Sequence, residues 1–135
     1  MGEEIFIDAN IFLEIFFDDS KADECEKFLK SLEMGGTSAF TSDFLIYACI
    51  LAVENKFKDH KKMENSLIFF RSCPNLRILI PSIDELQYAV EISKTEKLDF
   101  DDSLVVACMK SYGIVTLASL DRHFDKVKGI QRIPL

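Results

Sequence analysis

The chain has 135 residues, of which 48% are hydrophobic, and a formal net charge of −7. This length predicts one domain over residues 1–135 with a sizeable buried core. The sequence has no run of about 18 uncharged apolar residues, which excludes a membrane-spanning helix. Its acidic start, at Glu3 and Glu4, is unlike a secretory signal, so we expect a cytoplasmic protein.

The negative net charge repels a polyanion at long range, unless bound cations offset it locally. The best candidate for contact with phosphate groups is the basic stretch from Lys56 to Lys62. This stretch has a second interpretation, as a solvated helix end followed by the start of the next helix.

Cysteine and histidine spacing does not indicate a metal or redox site. The chain contains four cysteines, Cys25, Cys49, Cys73 and Cys108. Because they are scattered singly and without CxxC spacing, we predict reduced, largely buried thiols. The two histidines, His60 and His123, lie far apart in charged surroundings, which favours surface positions over a histidine metal site.

The first half of the chain predicts two strands and several helices. Residues 4–8 are short, apolar and β-prone, which indicates a buried strand ending at Asp8, and helical patterning follows at once. A further helix begins near Ala22 and ends at Gly35-Gly36. A strand over residues 37–41 leads to Ser42, whose hydroxyl is expected to cap a helix over residues 43–56. Another helix is expected over residues 60–72.

The second half predicts three more strands. Residues 76–80 read as a buried strand that is closed by Pro81. Ser82 and Glu85 then form a capping box for a helix. The inward stripe of this helix is expected at Ile83, Leu86, Val90 and Ser93. A loop over residues 98–101 leads into a helix over residues 102–111, and residues 114–118 and 129–133 form the last two strands.

This alternation of strands and helices predicts a three-layer α/β/α fold with a central parallel sheet of about five strands. In such a sheet, the strands end and the following helices begin at one edge. Asp8 ends a strand, Asp102 begins a helix and Asp121 follows a strand. Sequence separations of 94 and 19 residues are therefore expected to close into a single cleft.

Three ionised carboxylates this close together raise one another's pKa unless a hard cation neutralises them. Magnesium or manganese suits such an all-oxygen site. Each aspartate also has a purely structural interpretation, because Asp102 or Asp101 can cap a helix and Asp121 can form a turn. Asp8 is harder to explain in this way, since a carboxylate that follows Ile-Phe-Ile at a strand end is costly to bury without a partner.

Three segments together resemble the PIN domain, whose stand-alone bacterial and archaeal members include the VapC toxins of toxin–antitoxin pairs. The segments are Ile5–Leu13 with its D-x-N motif, Leu98–Cys108 and Leu117–Asp125. The resemblance implies that Asp8, Asp102 and Asp121 are the catalytic metal ligands and that Asp125 is an extra acid for the metal. It also implies that Asn10 and Ser119 support these ligands.

The resemblance further implies a Mg²⁺- or Mn²⁺-dependent ribonuclease that cuts RNA phosphodiester bonds. A homodimer and an antitoxin protein are the implied partners, and some of the twelve phenylalanines are expected in such an interface. One position departs from the family pattern, because Ala48 aligns with a glutamate that PIN nucleases usually carry. A catalytically weak or inactive PIN module that binds RNA or a protein partner is therefore the alternative.

Two other enzyme classes fit the sequence less well. A phosphatase of the haloacid dehalogenase type requires a D-x-D motif, whereas Asp8 is followed by Asn10. A receiver domain requires a phosphoacceptor strand, and no segment of the sequence matches one.

Overall fold

The described residues of the computed structural model form five parallel strands, and the first four of these strands are connected by six α-helices in consecutive pairs. The structure describes residues 3–135, so Met1 and Gly2 lie outside the described residues. The elements are β1 (Glu4–Ile7), α1 (Ala9–Phe17), α2 (Ala22–Met34), β2 (Ser38–Ser42), α3 (Asp43–Phe57), α4 (His60–Ser72), β3 (Leu76–Leu79), α5 (Ile83–Glu96), α6 (Phe100–Ser111), β4 (Thr116–Ala118), a short 3₁₀ helix (Arg122–Lys126) and β5 (Gln131–Ile133).

The strands form one sheet in the order β3-β2-β1-β4-β5, and every neighbouring pair is parallel. Side chains of the central strand β1 alternate between two cores, because successive residues of a strand point to opposite faces. Ile5 and Ile7 pack with α1, whereas Phe6 packs with α6. Helices therefore cover both faces, and the predicted three-layer α/β/α fold is confirmed.

Several local predictions are confirmed. The capping box of α5 is present, because the Ser82 hydroxyl accepts a hydrogen bond from the Glu85 backbone N–H and the Glu85 carboxylate accepts one from the Ser82 N–H. The helix over residues 60–72 has the predicted bounds. Cys25, Cys49 and Cys108 are buried free thiols, and Cys73 is half-buried.

Three predictions are wrong in detail. The strand β3 is an edge of the sheet, where Arg77 and Ile78 are exposed, so it is not buried throughout. Helix α6 begins two residues earlier than predicted, with Asp99 as its N-cap residue. The Ser42 hydroxyl caps no helix N–H and donates instead to the Leu79 carbonyl of the neighbouring strand, at 2.9 Å.

The inward stripe of α5 is also displaced from its predicted position. Ile83 and Val90 are exposed, whereas Ala89 and Ile92 are buried against the core that contains α6. The small side chain of Ala89 allows α5 and α6 to approach closely. The face of α5 that carries Ala89 is therefore buried, although the larger apolar residues Ile83 and Val90 lie elsewhere on the helix.

The abundance of phenylalanine is explained by an aromatic cluster inside the fold. Rings of Phe12 and Phe16 on α1 meet rings of Phe69 and Phe70 on α4 edge to face, with centroid distances of 4.8–6.3 Å. Phe100 is the only one of the twelve phenylalanines, all within the described part of the chain, to stand among the exposed large hydrophobic residues. The expectation that some phenylalanines lie in a dimer interface stays a prediction. Among residues 3–135, no helix has the length and hydropathy to cross a membrane.

We predict that Phe12→Leu lowers the free energy of unfolding by about 1–2 kcal/mol, because edge-to-face contacts are lost at a fully buried position. Phe100→Leu, at an exposed position, is the matched control and should change it by less than about 0.5 kcal/mol. Denaturant unfolding of both variants measures the difference. Equal effects of the two substitutions would contradict the assigned cluster.

Candidate metal centre

Asp8 is the buried carboxylate at the end of the central strand. The residue is 7% exposed, and its Oδ1 accepts a hydrogen bond from the Ala9 N–H at the start of α1, at 2.8 Å. Burial raises the pKa of Asp8, although hydrogen bonds from Ser119 and Ala9 act to lower it. The charges of Asp121 and Asp101 raise it further.

A hydrogen-bond network ties Asp8 to the segment after β4. The Ser119 hydroxyl donates to Asp8 Oδ2 at 2.8 Å, and it accepts from the Asn10 amide at 3.2 Å and from the Asp121 backbone N–H at 3.1 Å. The Asn10 amide oxygen accepts from the Leu120 N–H at 3.1 Å. The Ser119 hydroxyl thereby uses its single proton and both lone pairs. The structure thus places Asn10 and Ser119 directly around Asp8.

Asp102 enters the same region from the first turn of α6. It is half-buried, and its pKa is raised to about 6, first by burial and then by the negative charges of Asp101, Asp8, Asp121 and Asp99. Each of the neighbouring charges that shift this pKa is negative. Negative charges from three separate segments therefore oppose the ionisation of Asp102.

The side chains of Asp102, Asp121 and His123 converge on one point. One ligand atom from each of them lies within 4.8 Å of the other two. Asp121 Oδ1 lies 3.0 Å from His123 Nδ1 and also accepts a hydrogen bond from the His123 backbone N–H at 2.9 Å. Two carboxylates and an imidazole form a donor set that suits a divalent cation, and the local excess of negative charge favours one.

The sequence pattern does not predict that His123 joins Asp102 and Asp121. Its side chain is 73% exposed, so the predicted surface position is correct, yet the imidazole also adjoins Asp121. The available signal was its position two residues after Asp121. At the start of a helical turn, that spacing lets a side chain fold back onto the capping carboxylate.

Asp125, which lies in the short 3₁₀ helix, pairs with Arg132 on β5. Its Oδ1 accepts from Arg132 Nε at 2.7 Å, and its Oδ2 accepts from Arg132 Nη2 at 3.1 Å. These hydrogen bonds are the main reason that the pKa of Asp125 is lowered. The group whose ligand atoms lie within 4.8 Å of one another contains Asp102, Asp121 and His123 and includes neither Asp125 nor Asp8.

Helix α3 presents a thiol to the site. Ala48 is exposed, whereas Cys49 is buried and its thiol donates to the Ala9 carbonyl at 3.7 Å. Burial, followed by the charge of Asp8, raises the pKa of Cys49 to about 12, so the thiol stays neutral. Neither position carries the carboxylate that the family pattern usually supplies from this helix.

The basic stretch from Lys56 to Lys62 lies away from these carboxylates. Helix α3 begins at the edge of the sheet that bears the site, and Lys56 lies in its last turn, about 20 Å along the helix axis. The Lys62 amine sits over the Phe57 ring at 4.1 Å, and the Lys56 amine over the Phe17 ring at 4.5 Å. The interpretation as a helix end followed by a new helix is confirmed.

The PIN domain family matches residues 5–130, and the chain belongs to this family. This match covers all the residues discussed above except Arg132. No curated protein sequence matches the chain.

Solved structures share the fold at low sequence identity. VapC20 of Mycobacterium tuberculosis, a toxin described as cleaving the sarcin-ricin loop, is 16% identical, with a TM-score of 0.76 over 90% of this chain and 92% of that one. VapBC2 of Rickettsia felis, bound to a DNA fragment from its promoter, is 16% identical, with a TM-score of 0.77 over 96% and 97% of the two chains. A toxin–antitoxin complex from Klebsiella pneumoniae is 15% identical, with a TM-score of 0.70 over 94% and 95%.

We predict that Asp102→Asn stabilises the metal-free protein at pH 7 by about 1 kcal/mol, because it removes one of several mutually repelling charges at a partly exposed position. Asp84→Asn is the matched control, since Asp84 also lies in the first turn of a helix but is exposed on α5. It should change the free energy of unfolding by less than about 0.5 kcal/mol. Denaturant unfolding in the presence of a chelator measures both; a destabilised Asp102→Asn would show that the carboxylates do not repel one another.

Proposed function

We propose that this chain is a metal-dependent endoribonuclease of the cytoplasm that cuts RNA phosphodiester bonds. The proposal rests on one observation, the convergence of ligand atoms of Asp102, Asp121 and His123 to within 4.8 Å beside the buried carboxylate of Asp8. A divalent cation would offset the negative charge that is concentrated at this edge of the sheet, where the pKa values of Asp8 and Asp102 are raised. Membership of the PIN family supports nuclease chemistry.

Asp8, Asp102 and Asp121 would hold the ion, with His123 as a nitrogen ligand beside them. A bound Mg²⁺ or Mn²⁺ would offset the charge that develops on a scissile phosphate and activate a water molecule for attack. Ser119 and Asn10 keep the Asp8 carboxylate oriented through the hydrogen bonds that they donate to its Oδ2. The His123 backbone N–H holds one oxygen of Asp121 and thereby fixes the direction of the other.

We also propose an antitoxin protein as partner and a homodimer as the assembled state. The proposal of an antitoxin is supported by the solved relatives, which include VapBC2 and a toxin–antitoxin complex. A homodimer is supported by the exposed side chains of Tyr47 and Leu51, which lie one turn apart on α3 and form an apolar surface strip.

The alternative function is a PIN module that binds RNA or a protein partner without cutting. It is favoured by one observation, namely that α3 presents the neutral thiol of Cys49 to the site instead of a carboxylate. The two functions differ in metal binding, because a module without catalysis has no need of an ion at Asp102 and Asp121.

We predict that Asp121→Asn lowers Mn²⁺- or Mg²⁺-dependent RNA cleavage at least about 100-fold, because the candidate site loses an anionic ligand. Asp84→Asn should cleave at the rate of the parent protein. The measurement is cleavage of a mixture of single-stranded and structured RNA by purified protein, with a chelator as the metal-free reference. Cleavage by Asp121→Asn at the parental rate would overturn the nuclease proposal.

We predict that His123→Gln weakens binding of Mn²⁺ about tenfold and leaves binding of Mg²⁺ within about threefold. The physical reason is that imidazole nitrogen is a better ligand for Mn²⁺ than for Mg²⁺, which prefers oxygen and water. Titration calorimetry with each metal measures both affinities. An equal loss for both ions would contradict a role of His123 as a nitrogen ligand, and no binding of either ion by the parent protein at millimolar concentration would support the alternative function.

A further inference from the structure

Arg132 on the edge strand β5 makes three hydrogen bonds to the segment that carries Asp121. Its Nε and Nη2 donate to the two carboxylate oxygens of Asp125, at 2.7 and 3.1 Å, and its Nη1 donates to the Ser119 carbonyl at 3.1 Å. The Arg132 side chain is 12% exposed. One guanidinium group therefore bridges residues that stand before and after Asp121.

The two ends of this bridge have different roles in the candidate metal centre. The Ser119 hydroxyl donates to Asp8 and accepts from the backbone N–H of Asp121. Asp125 ends the first turn after Asp121, in the short 3₁₀ helix that also carries His123. Holding both ends against β5 fixes the position of the intervening residues relative to the sheet.

A simple surface ion pair would contribute little, because exposed pairs are screened by water and cost side-chain entropy. The Arg132 pair differs in geometry, since it is bidentate and one partner is nearly buried. A lysine at position 132 would keep the charge but could not make these three hydrogen bonds in fixed directions. The specific property of Arg132 is therefore geometric.

The contact with Arg132 argues against the expectation that Asp125 binds metal. Both of its oxygens point to the guanidinium group, and a cation at the same carboxylate would be repelled by the positive charge of Arg132. Asp125 is thus better suited to hold Arg132 than to hold an ion.

We propose that Arg132 and Asp125 form a clamp that positions Ser119 and Asp121 for metal binding, and that Asp125 acts through Arg132 and not as a metal ligand. Arg132 and Asp125 are positioning residues in this proposal. Its consequence for catalysis rests on the proposed function, whereas the clamp itself can be measured without RNA.

The test compares Arg132→Lys, Asp125→Asn and the double variant in Mn²⁺ titration calorimetry. Each single substitution should weaken Mn²⁺ binding about tenfold, and the double variant should be no weaker than either single one, because both remove the same contact. Arg77→Lys, on the opposite edge strand, is the matched control and should bind as the parent does. Weakening by Asp125→Asn with parental binding by Arg132→Lys would identify Asp125 as a ligand and overturn the proposal, as would parental binding by all variants.

Amide hydrogen exchange separates failure of the clamp from failure of the proposed function. The backbone N–H groups of Asp121 and His123 donate to side chains of the same segment, and the Leu120 N–H donates to the Asn10 amide oxygen on α1. In Arg132→Lys they should exchange at least about tenfold faster, while the amides of β1 keep their parental rates. If the parent binds no Mn²⁺ but Arg132→Lys shows the faster exchange, the metal proposal fails and the clamp stands. Unchanged exchange at these three amides would overturn the clamp.

Discussion

Carboxylates that repel one another lie together at the end of the central strand, and the residues around them must overcome this repulsion. Asp8 is buried and Asp102 is partly buried, and in both cases burial and neighbouring negative charges raise the pKa. Such an arrangement destabilises the metal-free fold, so the rest of the molecule must hold it in place. The Ser119 hydroxyl and the Asn10 amide do this for Asp8, and the well-packed sheet beneath them keeps both strands in register.

The order of the strands explains why the site lies where it does. From β1 the chain adds β2 and β3 on one side of the sheet and then returns to add β4 and β5 on the other. The sequence direction therefore reverses between β1 and β4, and ligands of parallel α/β sheets bind at such a point. Asp8 follows β1, Asp121 follows β4, and α6, which precedes β4, brings Asp102 to the same edge.

The sheet and its acidic edge could be predicted from sequence because both follow from local patterns. Alternating strand and helix signals imply a parallel sheet, and a parallel sheet places Asp8, Asp102 and Asp121 at one edge whatever the details of packing. Features that depend on packing could not be predicted in the same way. The inner face of α5 is set by how closely Ala89 approaches α6. The position of β3 at the edge of the sheet depends on which strands pair with one another.

The side-chain partners around the site show the same limit. The roles of His123 and Arg132 depend on the conformation of a short 3₁₀ helix, and the only sequence signal for it is the position of His123 two residues after Asp121. Similarly, Ala48 aligns with the glutamate that PIN nucleases usually carry, whereas the residue that α3 presents to Asp8 is Cys49. A rotation by one residue, about 100° around a helix, decides which side chain faces the site.

The central claim is that these carboxylates come together to bind a divalent cation. Anomalous diffraction at the manganese edge, from crystals grown with millimolar Mn²⁺, tests it most directly. The account predicts a peak within coordination distance, about 2.0–2.4 Å, of carboxylate oxygens from Asp102 and Asp121. Crystals grown in this way that show no peak at this edge of the sheet, or manganese bound only elsewhere, would contradict it.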